Sequence, residues 1–225
     1  MMEVNIGWSW QAEDLERSDA DIVRGLESLA ELGFGVVELP LDSITPDMAS
    51  RLAEVSRRLG LRLVAAATRP EPPASHGETG RLLETLRCAA LVTDAQAIPD
   101  AMARDRWVRI ASAARVPLVI EASVGNRSDI DPRFACFHAA TAGDPAATTG
   151  EPRQLAYMRW RQELSDSQLP HPLEIRRWAH EFVARDFDGP FVVDSVNGRA
   201  TPSSRMALAR LLLRHMDKLY WMRYQ

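Results

Sequence analysis

Short β-rich runs alternate with amphipathic helical segments along the 225 residues, and this order predicts an α/β fold, a compact (β/α)₈ TIM barrel. The number of β-rich runs supports a barrel, because eight parallel strands are enough to close one. The alternative is an open doubly wound sheet, but no G-x-G-x-x-G motif follows the first strand. No linker or internal repeat divides the chain, so we expect residues 1–225 to form one domain.

The predicted strands are short runs rich in aliphatic and aromatic residues, bounded by turn or helix-cap residues. The fifth run, VPLVIEA, is the strongest, and the fourth is the weakest. Residues 126–133, between the fifth and sixth runs, are too few for a full helix, so we expect one shortened unit there. The eight strands are predicted at residues 4–10, 35–39, 61–68, 91–98, 116–122, 134–139, 154–160 and 190–195.

The predicted helices begin and end at residues that commonly mark helix boundaries. Ser18 resembles an N-cap and Gly33 a C-terminal stop around the first helix, whose apolar residues repeat at helical spacing. Thr45 and Gly60 bound the next helix, which has proline at its first position. The later helices are predicted over residues 80–90, 99–115 and 172–186, and from residue 202 onward.

Composition and charge limit the classes of function. The net charge is -4, whereas a general nucleic-acid binder normally carries a basic surplus. No apolar run approaches the ~18 residues that a membrane span needs, and the first residues do not resemble a signal peptide. The two cysteines make neither a disulfide framework nor a zinc site. We therefore expect a cytoplasmic protein whose partner is a small metabolite rather than nucleic acid or membrane.

Alternation along the strands places several charged residues inside the predicted barrel. Glu38 lies between two aliphatic residues of the second strand, and Glu121 and Asp194 follow aliphatic residues in the same way. Active sites of this fold lie at the C-terminal ends of the strands, so these three are candidate acid/base residues. His138 is a candidate general base, since an imidazole titrates near ~6.5. A salt-bridged polar layer without catalysis is the alternative.

Two further groups are candidates for binding substrate. Arg159 and Arg161 share a face with Tyr157 on the seventh strand, where they could clamp a carboxylate or phosphate. The alternative for Arg159 is that it neutralises carboxylates inside the barrel. Trp8 and Trp10 end the first strand and could form the floor of a pocket, with core packing as the alternative.

The block over residues 22–68, with "LGFGVVEL" ending one helix and "GLRL" ending the next, resembles the opening of the xylose isomerase-like TIM barrels. These include sugar-phosphate isomerases/epimerases and endonuclease-type barrels. "VPLVIEAS" and "DFDGPFVVDS" resemble the fifth and last strands of that family. The resemblance implies a divalent metal held by carboxylates and imidazoles at the strand ends, with a carboxylate moving a proton.

Compared with the family's metal ligands, this sequence is divergent. Glu121 matches the fifth-strand glutamate, and Asp194 stands where the last strand has a glutamate. His138 aligns poorly with the sixth-strand ligands, and Arg159 replaces a histidine on the seventh strand. A guanidinium cannot coordinate a metal, so we expect no cofactor, and Arg159 paired with Glu121 and Asp194. A divalent metal site that uses His138 is the alternative.

The sequence leaves three functions open. The first is an enzyme that isomerises, epimerises or dehydrates a small polar, anionic metabolite by proton transfer. The second is a non-catalytic barrel that acts as a binding or partner subunit. A metal-dependent nuclease is third, because the basic groove and the histidines that it needs are missing. The aromatic tail, residues 219–224, is predicted to dock onto the barrel, onto a second copy of the chain or onto a protein partner.

Overall fold

The computed structural model of the chain describes residues 6–94, 96–121, 134–140, 155–160, 171–184, 187, 189–194 and 202–223. Within them, strands close into a barrel in sequence order and helices surround it, which confirms the predicted TIM barrel. The strands are β1 (Ile6–Ser9), β2 (Val36–Pro40), β3 (Arg62–Ala67), β4 (Ala90–Thr93), β5 (Leu118–Glu121), β6 (Phe134–Ala140), β7 (Leu155–Trp160) and β8 (Phe191–Asp194). The helices are α1 (Ala12–Leu15), α2 (Asp19–Leu32), α3 (Pro46–Leu59), α4 (His76–Leu86), α5 (Ala101–Ala113), α6 (Pro172–Ala184) and α7 (Pro202–Arg223), with a 3-10 turn at Leu41–Ser43.

Strand β6 runs opposite to both of its neighbours. Its pairings with β5 and β7 are antiparallel, whereas every other pairing around the barrel is parallel. The expectation of parallel pairing throughout is therefore corrected at this strand. Antiparallel neighbours need no crossover helix, and the sequence of residues 126–133 is too short to supply one. The unit that the sequence predicts as shortened is thus the place where the chain reverses.

The helix boundaries follow the predicted signals. The Ser18 and Thr45 side chains accept backbone hydrogen bonds at the starts of α2 and α3. Gly33 and Gly60 end these helices in the left-handed conformation, with φ of 91° and 70°. Helix α4 begins earlier than predicted because Ser75 forms a capping box with the acidic residue three positions later.

Inside the barrel lies a small core of five valines and one tyrosine, separate from the larger core between strands and helices. Gly7 of β1 lies within this inner layer, where an added Cβ would come within 2.5 Å of Val192 Cγ2. The inner layer therefore packs tightly and forms a floor beneath the residues that follow on each strand. Its buried members are Val36, Val64, Val92, Val119, Tyr157 and Val192.

The C-terminal part of α7 has side chains that pack against the core and side chains that are exposed to solvent. Leu219 packs against the main core, whereas the side chains of Trp221 and Met222 are exposed. These two residues therefore do not dock onto the barrel, and their contact with a second copy or a partner stays a prediction. None of the described helices is long and apolar enough to cross a membrane.

Candidate functional site

The side chains inside the barrel change from aliphatic to polar toward the C-terminal ends of the strands. Val36 is followed on the same face of β2 by Glu38, and Val119 is followed on β5 by Glu121; both glutamates are buried. Ser9 of β1 pairs in register with Glu38 and is also buried. The polar layer therefore lies at the end of the barrel where TIM-barrel sites occur.

Glu38 is held by three neighbouring side chains. Ser9 Oγ donates a hydrogen bond to Glu38 Oε1 at 2.9 Å. The Tyr157 hydroxyl donates to Oε2, and so do Arg159 Nε and Nη2, at 3.2 and 2.9 Å. Both oxygens of the carboxylate are thus engaged by donors from strands β1 and β7.

Arg159 also bonds to a second carboxylate, which comes from a different strand end. Its Nη1 donates to Asp94 Oδ1 at 2.7 Å, and Asp94 directly follows β4. The guanidinium therefore joins carboxylates from β2 and β4, as a charge-assisted bridge. We call Ser9, Glu38, Asp94, Tyr157 and Arg159 the guanidinium cluster.

Burial and charge fix the protonation states inside the cluster. Burial by itself would lower the pKa of Arg159, but the negative charges of Glu38 and Asp94 outweigh it and raise that pKa above its usual range. Burial first, and then the charge of Glu38, raise the pKa of Tyr157 well above its ordinary value of 10.0. Near neutral pH, Arg159 is therefore a cation and Tyr157 a neutral hydrogen-bond donor.

The structure gives Arg159 two described partners that the sequence did not predict. The described ion pairs of the guanidinium are with Glu38 and Asp94, and the predicted pairing with Glu121 and Asp194 stays a prediction. Asp194 ends β8, where its backbone pairs in register with Ser9, and its side chain lies outside the described residues. Alternation along each strand predicts which side chains face the barrel interior. Which of these side chains contact each other depends on how the strands are positioned when the barrel closes.

Ser9 and Asp94 are the two members of the cluster that the sequence prediction missed. The sequence did contain a signal for Asp94, because this residue lies two positions after the inward-facing Val92. The predicted fourth strand extends to residue 98, whereas β4 ends at Thr93, so Asp94 did not stand out as a strand-end residue.

The two tryptophans of the predicted pocket floor face the helices instead. Trp8 alternates with Ser9, and its ring contacts Phe34 with ring centroids 5.6 Å apart. Trp10 packs over α2, where a Cβ added to Gly25 would lie 3.1 Å from its ring. Both belong to the core between strands and helices, so their predicted place in a substrate pocket is corrected.

Two predicted candidates have side chains outside the described part of the chain. His138 lies on β6, where its backbone pairs in register with Ile120 rather than with Glu121. The prediction of His138 as a base at the C-terminal end of a strand assumed a parallel strand, so its premise is changed by the reversal of β6. Arg161 follows β7 and lies outside the described residues.

Comparison with known proteins identifies the fold. No protein-family model matches the sequence, and no curated protein matches it. A solved structure of an uncharacterised protein from Parabacteroides distasonis superposes with a TM-score of 0.61 at 10% identity, covering 94% of this chain and 98% of that chain. A xylose isomerase-like TIM barrel protein from Mycobacterium smegmatis, in complex with magnesium, gives 0.52 at 9% identity, covering 96% and 97%.

The chain therefore has a TIM-barrel fold that is similar to these solved structures. D-psicose 3-epimerase, solved in the presence of D-fructose, gives a TM-score of 0.51 at 12% identity, covering 98% of this chain and 99% of that chain. At these identities the likeness concerns the fold alone, and it confirms the resemblance that the sequence shows.

Among the described residues, Glu38 and Asp94 do not fit a divalent metal of the kind that the resemblance implies. Glu38 Oε2 and Asp94 Oδ1 accept hydrogen bonds from a permanent cation, whose charge would repel a second cation at the same oxygens. Across the part of the chain that the structure describes, no three His, Cys, Asp or Glu side chains are grouped to hold a metal ion.

Proposed function

We propose that the chain is an enzyme of the isomerase, epimerase or dehydratase type, which moves protons on a small polar metabolite without a divalent metal. The guanidinium cluster is the observation that carries this proposal. Side chains from β1, β2 and β7 and the residue after β4 meet at one end of the barrel, where Glu121 also ends β5. That end holds the active sites of TIM-barrel enzymes.

The energetics of the cluster favour a functional role. Burying an ion pair carries a desolvation cost that often equals or exceeds the attraction between the charges, so such a pair is a poor device for stability alone. An aliphatic layer like the one formed by Val36, Val64 and Val92 would fill the same space without that cost. The polar layer is therefore best explained by what it does to a ligand.

In this proposal Glu121 is the principal acid/base group and Arg159 the electrophilic group. Arg159 is a buried cation that Glu38 and Asp94 hold at the end of the barrel where substrates bind in this fold. A positive charge fixed in this way stabilises the negative charge that develops on a substrate oxygen during proton transfer. Asp194 is proposed as a supporting group, and Tyr157 and Arg161 as groups that line the site. The proposal does not use His138, whose backbone pairs in register with Ile120 rather than with Glu121.

The charge of the cluster bears on the class of substrate. The sequence predicts an anionic metabolite because two arginines lie on one face of the seventh strand. Arg159, however, is flanked by Glu38 and Asp94, which together outweigh its single positive charge. We therefore propose a small polar metabolite and do not require that it be an anion. Ketoses are the first compounds to test, since one protein with this fold is a sugar epimerase.

The test is proton exchange between substrate and solvent. The purified protein, treated with a chelator, is incubated in D₂O with a panel of ketoses, aldoses and their phosphates, and deuterium incorporation is followed by NMR. We expect incorporation by the wild type, loss of about 100-fold or more in Glu121→Gln, and no change in the surface control Glu54→Gln. Absence of exchange with every compound would contradict the proposal.

A non-catalytic binding barrel is the second candidate function. It is favoured by the state of Glu38, whose two oxygens are both occupied by protein donors. This candidate predicts that a compound of the same panel raises the melting temperature without any deuterium incorporation. Exchange in the wild type that is lost in Glu121→Gln would exclude it.

A further inference from the structure

The bonding of Glu38 leaves it unsuited to accept a proton from substrate. An ionised carboxylate offers about four acceptor sites, and Glu38 accepts from the Ser9 hydroxyl, the Tyr157 hydroxyl and two N–H groups of Arg159. Its side chain is also only 3% exposed. Glu38 is therefore an anchor for the cluster, and a group that exchanges protons with a ligand has to be found elsewhere in the polar layer.

Asp94 is the member of the cluster that is most accessible from the barrel mouth. Its side chain is 17% exposed, compared with 5% for Arg159. Its backbone is fixed on both sides, since its N–H donates to Ala67 O at 3.2 Å and its carbonyl accepts from Ala97 N at 3.0 Å. Arg159 Nη1 in turn directs the carboxylate, so Asp94 is held in one place and is still reachable by a ligand.

The strand register brings Asp94 next to Glu121. The last residues paired between β4 and β5 are Thr93 and Ile120, and the residues that follow them are Asp94 and Glu121. Neighbouring strands lie about 4.8 Å apart, so two carboxylates from adjacent strands stand at the same edge of the barrel. A substrate carbon and its hydroxyl could contact one carboxylate each.

We infer that Asp94 is a further catalytic residue, the base that removes and returns the proton on carbon, and this inference rests on the proposed function. For an aldose or ketose, Asp94 takes the proton from the carbon beside the carbonyl, and the C–H electron pair forms the double bond of an enediol. Asp94 then returns the proton to the neighbouring carbon, while Glu121 moves the hydroxyl proton between the two oxygens. One C–H and one O–H bond break and one of each forms, so no oxidant or reductant is needed.

The exposure of Asp94 also makes the proton on its carboxyl group exchangeable. While the enediol is bound, that proton can be replaced by deuterium from solvent, which is the signal that the proposed assay detects. A base buried as deeply as Glu38 would return much of the original proton instead.

The experiment compares Asp94→Asn, Asp94→Glu and Glu54→Gln with the wild type in the same exchange assay. We expect Asp94→Asn to lower the rate at saturating substrate by about 100-fold or more while KM changes little. Asp94→Glu keeps the charge and a partner for Arg159, so we expect it to fold like the wild type and to recover part of the rate. If Asp94→Asn does not fold, the rate of Asp94→Glu is compared with that of the wild type instead.

The outcomes separate the inference from the proposed function. Exchange by Asp94→Asn within about two-fold of the wild type would overturn the role of Asp94 and leave the proposed function standing. An equal loss of rate in Asp94→Asn and Asp94→Glu, with both variants folded, would also contradict the inference, because the carboxylate that Asp94→Glu retains should recover part of the rate. No exchange by the wild type with any compound would overturn both proposals.

Discussion

Arg159 is a buried cation inside the barrel, and its guanidinium forms ion pairs with two carboxylates. An isolated buried guanidinium would be costly, and the ion pairs with Glu38 and Asp94 make this burial tolerable. The three side chains are thus interdependent, because removing the cation leaves two carboxylates close to each other without a counter-charge. The hydroxyls of Ser9 and Tyr157 would still donate hydrogen bonds to Glu38, but neither group carries a positive charge.

Replacement of Arg159 by methionine tests this interdependence. Arg159→Met keeps a long side chain but removes the charge, and we expect it to lower the free energy of unfolding by roughly 3–5 kcal/mol. The matched control is Arg57→Met on the exposed face of α3, which we expect to stay within about 0.5 kcal/mol of the wild type. Urea denaturation followed by circular dichroism measures both. Similar values for the two variants would mean that Arg159 is not bound as described.

Alkaline pH is expected to destabilise the fold through two buried groups. Burial raises the pKa of Cys88 from 9.0 to about 12, and it raises the pKa of Tyr157 well above 10.0. Because each pKa is higher in the folded state, the unfolded chain loses its proton first. Stability is therefore retained below about pH 9 and falls as the pH rises from there toward 12.

A cysteine variant isolates one of these two contributions. Between about pH 9 and pH 11, Cys88 is expected to reduce the free energy of unfolding by up to about 1.4 kcal/mol per pH unit. Cys88→Ala removes this contribution, so its stability should decline less steeply than that of the wild type in urea titrations across this range. Identical slopes would show that the Cys88 thiol is not buried in the folded chain.

The sequence predicted the inward-facing side chains better than it predicted their partners. Alternation along a strand is a local property, and it correctly placed Glu38, Glu121 and Arg159 inside the barrel. The contact between Arg159 and Asp94 depends on how far the strands are staggered when the barrel closes, which is not encoded in any one segment. The same alternation, applied to β1, would have turned Trp8 toward the helices.

At the scale of elements, the helices were more predictable than the strand directions. Caps and glycine stops act within a few residues, so the bounds of α2 and α3 agree closely with the sequence. The direction of β6 depends on its neighbours and on the chain between them. The residue pattern of a strand does not indicate whether the strand pairs in a parallel or an antiparallel way. In the sequence, the one indication of this reversal is that residues 126–133 are too few for the helix that a parallel connection needs.

The direction of β6 can be measured in solution by NMR. Antiparallel pairs alternately bring opposite Cα atoms to about 4.5 Å, which gives strong Hα–Hα contacts between strands. We expect such contacts between β5 and β6, near the pair Val119 and Ala139, and none between the parallel strands β4 and β5. If the β5–β6 contacts instead matched the parallel pattern, the described reversal would be wrong.

The packing of the barrel floor is tested at β1. A Cβ on Gly7 would approach Val192 Cγ2 to 2.5 Å and Val36 Cβ to 3.1 Å, so we expect Gly7→Ala to cost about 1–3 kcal/mol. Gly77 in α4 has no heavy atom within 4 Å of the same position, and we expect Gly77→Ala to stabilise the chain by up to about 1 kcal/mol. Thermal unfolding of both variants measures the contrast. Equal effects would contradict the tight inner layer.

The whole molecule is a TIM barrel that contains a polar layer at one end of its strands, and the guanidinium of Arg159 lies at the centre of this layer. The barrel supplies strand ends from every part of the chain, and the aliphatic floor excludes water from beneath them. Arg159 then lies between two carboxylates that could otherwise bind a cation. In the proposed function, this side chain organises the site in place of a metal ion.

Metal titration distinguishes a site organised by Arg159 from one organised by a metal ion. The chelated protein is unfolded thermally with and without Mn²⁺, Mg²⁺ or Zn²⁺, in the wild type and in Glu121→Gln. If Arg159 takes the place of the ion, we expect any change in melting temperature to be small and equal in the two proteins. A metal held at a resident site would stabilise the fold by about 2.7 kcal/mol at ~100 times its Kd. A shift of that size for one metal, lost in Glu121→Gln, would show that a metal ion binds at the site and would contradict the role of Arg159.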